Sequence, residues 1–237
     1  MSVLYETSGA VGLIQLNRPH RKNAINQTLL VELYDALERA DADDSIAGVV
    51  ITGKGNSFCS GIDLECFATD NLLNPRGDGH GMLEVFQSIR KPIIGAIRGY
   101  AITGGFELAL NCDFLLADPT ACFMDTHAKL GIHPGWGMTQ LLQQAVGRRR
   151  ALQISLTGEK IPVQKALAWG LINEVVEEET LLPRCFALVE MMAANNRPMV
   201  QIVKDLIEVQ DSAHLKGALE VEGRGFSDFA SQFMNVG

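Results

Sequence analysis

Two kinds of apolar pattern alternate along the chain: short continuous runs, and longer stretches with apolar residues every three or four positions. The first kind predicts buried strands and the second amphipathic helices. VLYET (3–7) and VGLIQLN (11–17) flank Ser8-Gly9 and read as a hairpin. TLLVELYDALERAD (28–41) has a helical apolar face and a charged outer one. AGVVITG (47–53) is apolar throughout and ends at Gly53 and Gly55, as a strand covered on both faces does. Positions 63–81, with Asn, Pro and Gly, predict a mobile loop. A helix over 82–89 stops at Lys91-Pro92, and PIIGAIRG (92–99) reads as a further buried strand. CDFLLAD (112–118) and ACFMD (121–125) follow as strands, and HAKLGI as a short turn or helix. Short helices are predicted at 138–145, 148–156 and 162–169, then a strand at INEVV (172–176). From position 180 onward the pattern is helical, interrupted at Arg197-Pro198.

This order predicts an α/β fold with parallel sheet over 1–180 and a helical oligomerisation region over 181–237. No internal repeat or low-complexity tract occurs. The 237 residues suffice for one sizeable core, and 47 % hydrophobic against 6 % aromatic content makes that core aliphatic. A net charge of −8 argues against nucleic acid as a partner but leaves room for a small anionic ligand, which backbone dipoles can bind. The five cysteines are an odd number without a CxxC pair, so neither a disulfide framework nor a zinc site is expected. The start MSVLYETSG has no basic segment leading into an apolar one, the end Asn-Val-Gly is no peroxisomal signal, and no apolar run is long enough to cross a membrane. These features predict a cytoplasmic location.

The candidate chemistry begins at GYAITGGFELALNCD (99–113), where Gly104 and Gly105 open an apolar helix that carries Glu107 in its first turn. Each glycine costs a helix interior roughly 1 kcal/mol relative to alanine, and a buried carboxylate costs more unless paired. Glu107 could complement the helix dipole. A capping box on Thr103 would place the acid at 106, where Phe106 stands instead. The glycines either permit close packing or bring a ligand to the free N–H groups of the helix start. FCSGIDL (58–64) is a second strand-then-turn with a glycine, and two such turns could share an oxyanion hole. His127 would ordinarily be a capping or core residue, His133 a loop residue, and Arg148-Arg149-Arg150 a solvated face. Trp136, among glycines, could line a pocket or fill core.

NRPHRKNAIN, ITGKGNSFCSGIDL, KPIIGAIRGYAITGGFELALNCD, PGWGMTQLLQQAVGRRRALQISLTG and ALAWGLINEVV, in this order, resemble the enoyl-CoA hydratase/isomerase (crotonase) superfamily. The resemblance implies a crotonase-like spiral of ββα units with a C-terminal helical trimerisation region, an acyl-CoA thioester as partner, and a homotrimer or homohexamer. It implies no metal, and no cofactor beyond the coenzyme A of the substrate. The backbone N–H groups of Ile62 and Gly104 would hold the thioester oxygen, and Glu107 would activate water for addition to C3 of a trans-2-enoyl-CoA. Arg21, Lys22, Ala24, Ser60, Asp63, Leu64, Gly105 and Trp136 would contact substrate or CoA.

Two departures qualify this. Hydratases usually carry a second glutamate twenty positions after the first, and here that position is His127, which can serve as acid or base. Family isomerases generally rely on this position too, so hydration is the expected reaction. Double-bond isomerisation, and acyl-CoA binding with little catalysis, are the alternatives. The second departure is the ending SDFASQFMNVG, where relatives continue with a segment that helps cover the CoA site; this predicts a weaker hold on CoA.

Overall fold

Residues 1–233 are described by the computed structural model; residues 234–237, and with them part of the distinctive ending, lie outside the described residues. β1 (Val3–Ser8) and β2 (Val11–Leu16) form the expected antiparallel hairpin, Val3 opposite Leu16 and Ser8 opposite Val11. A single 3-10 turn at Pro19–Arg21 precedes α1 (Gln27–Ala42), which starts where the Asn26 side chain accepts the Leu29 N–H at 3.0 Å. The apolar face of α1, Leu29, Leu30, Leu33 and Leu37, is fully buried. Then come β3 (Gly48–Gly53), α2 (Met82–Ser88), β4 (Ile93–Ile97), β5 (Tyr100–Ile102) and α3 (Gly104–Leu110). β6 (Phe114–Ala117), β7 (Cys122–Met124), α4 (His127–Leu130), α5 (Met138–Val146) and α6 (Arg148–Thr157) follow. The chain continues through β8 (Ile161–Pro162), α7 (Val163–Ala168), β9 (Glu174–Val175), α8 (Glu178–Ala193) and α9 (Arg197–Phe233).

Six strands form one sheet in the order β1-β2-β3-β4-β6-β9, parallel except for the hairpin. A second, smaller sheet has the order β5-β7-β8. The chain makes one step twice: β4 leads to β5 and β6 leads to β7, each time leaving the large sheet, entering the small one and running into a helix. This repeated ββα step is the spiral expected from the sequence. The apolar run PIIGAIRG (92–99) holds one strand, β4, as expected, and β5 follows just past its end. The chain turns between them at Gly99, whose φ is +57° and where a Cβ would stand 2.0 Å from the Asn56 carbonyl oxygen. At the second corner Asp118 accepts the N–H and hydroxyl of Thr120 at 2.8 and 2.6 Å. INEVV pairs only at Glu174–Val175, and Pro162 lies in β8 just before α7 instead of within the helix.

One apolar cluster lies between the large sheet and the helices α1, α3 and α5, with Ile14, Ile51, Phe106 and Leu142 among its members. A second covers the opposite face, where Leu181, Cys185 and Val189 of α8 meet Val11, Val50, Ile94 and Leu116. α8 thus completes the core instead of belonging to a separate tail from 181, because the parallel strands beneath it are apolar on both sides. Pro198, read as an interruption, stands at the second position of α9, where a proline lacks only an N–H that would have no partner. α9 runs for 37 residues, about 55 Å. Replacing Leu181 of α8 by alanine is expected to lower the unfolding free energy by about 2–5 kcal/mol, measured by chemical denaturation; a change under about 0.5 kcal/mol would return α8 to the status of an appendage.

Candidate active site

The turn between β5 and α3 places a threonine where its type is rarely found. Thr103 has φ +49° and ψ −110°, a conformation that crowds a β-branched side chain. Its surroundings fix it there. The Thr103 N–H donates to Met124 at 2.8 Å, and its carbonyl accepts the N–H groups of Phe106 and Glu107, both at 2.9 Å. The Thr103 hydroxyl is hydrogen-bonded to that of Thr126 and accepts the Thr126 N–H at 3.1 Å. The helix start is therefore capped by a backbone carbonyl, which explains why the capping-box spacing fails.

The bend brings the start of α3 against the 58–64 turn. A Cβ built on Gly61, whose φ is +95°, would stand 3.4 Å from the Gly104 nitrogen. One built on Gly104 would stand 3.5 Å from the Ile62 nitrogen and 3.1 Å from Cζ3 of Trp136. Any side chain at 104 would fill the space between these two N–H groups, and neither has an acceptor among the described residues. Gly105 serves packing instead: its Cβ would lie 2.2 Å from the Cys59 carbonyl oxygen. Of the two adjacent glycines, one keeps the space before the N–H pair open and the other lets α3 press on the neighbouring turn. The structure thus gives Gly105 a packing role.

The Ile62 turn is held from two sides. Cys59 exchanges backbone hydrogen bonds with Tyr100 and Ile102 at 2.8 and 3.0 Å. On the other side Ser60 N donates to Lys22 at 3.0 Å, Ile25 N to Gly61 at 2.8 Å and Asp63 N to Ile25 at 2.8 Å. Arg18 clamps this zipper, donating to the Ala24 carbonyl and to Asp63 Oδ2, the latter at 2.8 Å. Burial pushes the Asp63 carboxyl up, but the Arg18 guanidinium and the Glu65 N–H outweigh it and hold it below the usual carboxylate range. Asn23, fully buried at φ +55°, accepts the Arg18 N–H at 2.9 Å and donates to Lys54 and Ser57 carbonyls at 3.0 and 2.8 Å.

Arg21, Lys22, Ala24, Ser60, Asp63 and Leu64 are thereby brought into one neighbourhood beside Ile62. Their parts in the fold differ. Asp63 and Ala24 are buried supports of the turn, while Arg21 is exposed and paired with Glu65 at 2.8 and 2.6 Å. Lys22 lies over the Tyr100 ring, 5.0 Å from its centre, and Leu64 is exposed. Arg18 and Asn23 were not among the predicted site residues; their signal was their place in NRPHRKNAIN.

Glu107 lies one turn into α3 with 1 % of its surface exposed. Its Oε1 accepts the N–H groups of Trp136 and Met138 at 2.9 and 3.2 Å. Gly137 between them has φ +98°, which lets the two converge. Asn111 ties this loop to α3 by donating to the Trp136 carbonyl at 3.0 Å, and Phe226 of α9 presses on it, 2.5 Å from where a Gly135 Cβ would be. Trp136 resolves both ways: its ring is buried and walls Gly104, and its N–H holds the carboxylate. The other oxygen, Oε2, is 3.7 Å from Nε2 of His127.

His127 opens α4 and is buried with Asp125, a residue that sequence reasoning passed over. Asp125 Oδ1 accepts the His127 N–H at 3.0 Å and lies 2.7 Å from Nδ1 of the ring. Burial raises the Asp125 pKa, but the hydrogen bonds from His127 and Ser155 and the attraction of His127 outweigh it, leaving it below the ordinary carboxylate value. The signal was the spacing in DTH, an acid two positions before a histidine that starts a helix. His133 is a loop residue bonded to the Pro134 carbonyl at 2.7 Å. A carboxylate on the helix whose first N–H belongs to a two-donor turn, with an imidazole facing it from the start of α4, suits proton transfer beside a polarised carbonyl.

A sequence profile of the family described as enoyl-CoA hydratase/isomerase matches residues 6–234. The chain is 40 % identical to the "Probable enoyl-CoA hydratase 1, peroxisomal" of Arabidopsis thaliana, over 91 % of this chain and 81 % of that one. It is 36 % identical to the "Probable enoyl-CoA hydratase" of Rhizobium meliloti, over 100 % of this chain and 93 % of the relative. The crystal structure of enoyl-CoA hydratase from Mycobacterium tuberculosis superposes with a TM-score of 0.88 at 35 % identity, covering 98 % of this chain and 100 % of the other.

The two glycines are expected to respond differently to alanine in thermal and denaturant unfolding. Gly105→Ala meets rigid backbone and should lose more than about 3 kcal/mol. Gly104→Ala presses only on the Trp136 ring at 3.1 Å, its other neighbours standing at ordinary contact distance, and should lose about 1 kcal/mol. Equal losses would contradict the division of labour between them.

Proposed function

The chain belongs to the enoyl-CoA hydratase/isomerase family, and from that premise we propose that it adds water to a trans-2-enoyl-CoA to give the 3-hydroxyacyl-CoA. The observation that carries this reading is the buried Glu107 carboxylate, with His127 3.7 Å from one oxygen, on the helix that begins at the Gly104 N–H. The thioester oxygen accepts the N–H groups of Ile62 and Gly104. Glu107 takes a proton from water as the water oxygen bonds to C3. The π pair of C2=C3 moves onto the thioester, whose enolate oxygen gains most from the two donors; each is worth roughly 3 kcal/mol in the transition state. His127 is the acid that supplies C2.

The exposed cations Arg21 and Lys22, beside the Ile62 turn, suit the phosphates of coenzyme A, and no cofactor is needed beyond the one the substrate carries. Among the described residues no helix is long and apolar enough to cross a membrane. The five free cysteines support a reducing, cytoplasmic setting. The reading is tested with crotonyl-CoA, whose conjugated-thioester absorbance falls on hydration. Wild-type protein is expected to consume it, and Glu107→Gln to lose at least about a hundredfold in turnover while still binding the thioester by calorimetry. Saturable binding without turnover in the wild type would make it a binding protein, and conversion of a 3-enoyl-CoA to the conjugated isomer without hydration would make it an isomerase.

We further propose a homotrimer or homohexamer. Met199, Ile202, Val203, Leu206 and Ile207 of α9 are all exposed and recur at the spacing of one helical face. Uncovered, this stripe would be a large apolar patch, and closed rotational symmetry covers it in every copy. Light scattering at micromolar concentration is expected to give three or six times the chain mass; a stable monomer would overturn the proposal.

A further inference from the structure

His127 stands between two carboxylates, at 2.7 Å from Asp125 on its Nδ1 side and 3.7 Å from Glu107 on its Nε2 side. Asp125 is 2 % exposed and grips twice, at the ring and at the His127 backbone N–H, so the imidazole is fixed in orientation. An ionised carboxylate only accepts hydrogen bonds, so Nδ1 must carry a proton. A ring with a lone pair on Nε2 would then set that lone pair toward the Glu107 carboxylate. Protonating Nε2 turns a hydrogen toward Oε2, and the cation lies between two anions.

We propose that Asp125 is a positioning residue that makes His127 the proton donor of the site, locking Nδ1–H and sustaining the imidazolium whose Nε2–H faces the reacting carbons. The proposal rests on the hydratase reading and deepens it. After water has added to C3 and given its proton to Glu107, the enolate pair takes the Nε2 proton to C2. His127 is left neutral with Nδ1–H in place. The Glu107 proton then passes to Nε2, directly or through one water, and the starting state returns. The titratable groups that face His127 are Glu107 from α3 and Asp125 from the end of β7. α6 contributes the Ser155 hydroxyl to Asp125, and Lys129 on α4 itself is tied to the Gly158 carbonyl at 2.7 Å. The hydrogen bonds that keep Asp125 below the usual carboxylate range also keep it ionised across the working pH.

The sign of the pH effect follows. If the imidazolium is the donor, forward hydration falls as pH rises through its titration. Removing the Asp125 charge weakens the cation and moves that limb to lower pH. Asp125→Asn is expected to shift the alkaline limb of kcat with crotonyl-CoA down by at least about one pH unit, and to lower kcat at pH 8 at least about tenfold with KM within about twofold. The His127 ring in the intact protein, followed by nitrogen-15 NMR and assigned with His127→Gln, should titrate in step with that limb. In the wild type it should lose the Nε2 proton and retain Nδ1–H. An Asp125→Asn protein with an unmoved limb, or a wild-type ring that keeps Nε2–H and loses Nδ1–H, overturns the proposal. The wild-type titration decides the matter even if the variant does not fold. A wild type that titrates as expected but hydrates no enoyl-CoA would sink the hydratase reading and the proton delivery with it, leaving the Asp125 grip standing.

Discussion

A carboxylate taken out of water needs donors at its oxygens or it will not stay ionised, and Glu107 finds its donors on segments far from it in sequence. The Trp136 and Met138 N–H groups come from the lead into α5, and the His127 ring, with Nε2 3.7 Å from Oε2, stands at the start of α4. Holding them around one side chain requires α3, α4 and α5 to meet, and that meeting is what the double ββα step achieves. The small sheet sets β5 and β7 side by side, Tyr100 opposite Cys122 and Ile102 opposite Met124, so both chains leave it at the same level. Thr103 and Thr126 follow at once and bond to each other. The strained threonine therefore has a purpose: its hydroxyl ties the start of the helix that carries Glu107 to the segment that carries His127. The strain, on the order of 1–3 kcal/mol, persists because five hydrogen bonds over-determine that residue.

The N–H pair depends on a different kind of support. Ile62 and Gly104 contribute only backbone, so their positions are set by whatever fixes the backbone. For Gly104 this is the Thr103 turn. For Ile62 it is the zipper between residues 22–25 and 60–63, clamped by Arg18 and Asp63 and anchored by Asn23. Here a buried ion pair specifies geometry; such pairs add little net stability when their desolvation is counted. Truncating either partner would leave an uncompensated charge beside the turn, so Arg18 and Asp63 set its geometry.

The fold was legible where one face or both faces of an element are buried, because burial imposes a period on the sequence. The hairpin, α1, β3 and α2 lie close to where their apolar patterns put them. What escaped was set by contacts between distant segments. The short strand β5 after PIIGAIRG escaped notice because the turn at Gly99 is set by Asn56 from another segment, which periodicity does not record. α8 reads as a tail because a helix pattern does not say which sheet face lacks a cover. In the site, Glu107, His127 and the two glycine turns stood out through residue type and spacing, and their meaning came from a resemblance to a family. Asp125, Arg18 and Asn23 did not, since acids, arginines and asparagines are common in surface loops and only the folded chain shows that these three are buried or clamped.

α9 joins two features that the sequence keeps apart. Its first turns carry the apolar stripe from Met199 to Ile207, and Lys204 on the same stretch bonds Asp113 at 2.9 Å, whose carboxylate also accepts the Ile93 N–H of β4. Farther along, Phe226 is 3 % exposed and seated on Gly135. The residue after Gly135 is Trp136, which gives its N–H to Glu107 and its ring to the wall beside Gly104. A glycine is required at 135 because any Cβ would collide with the Phe226 ring, and the phenylalanine in turn keeps that loop pressed toward the carboxylate. Packed interiors transmit such a constraint because they have little free volume to absorb it. In this chain α9 reaches the donors of Glu107 through a single aromatic ring on a single glycine.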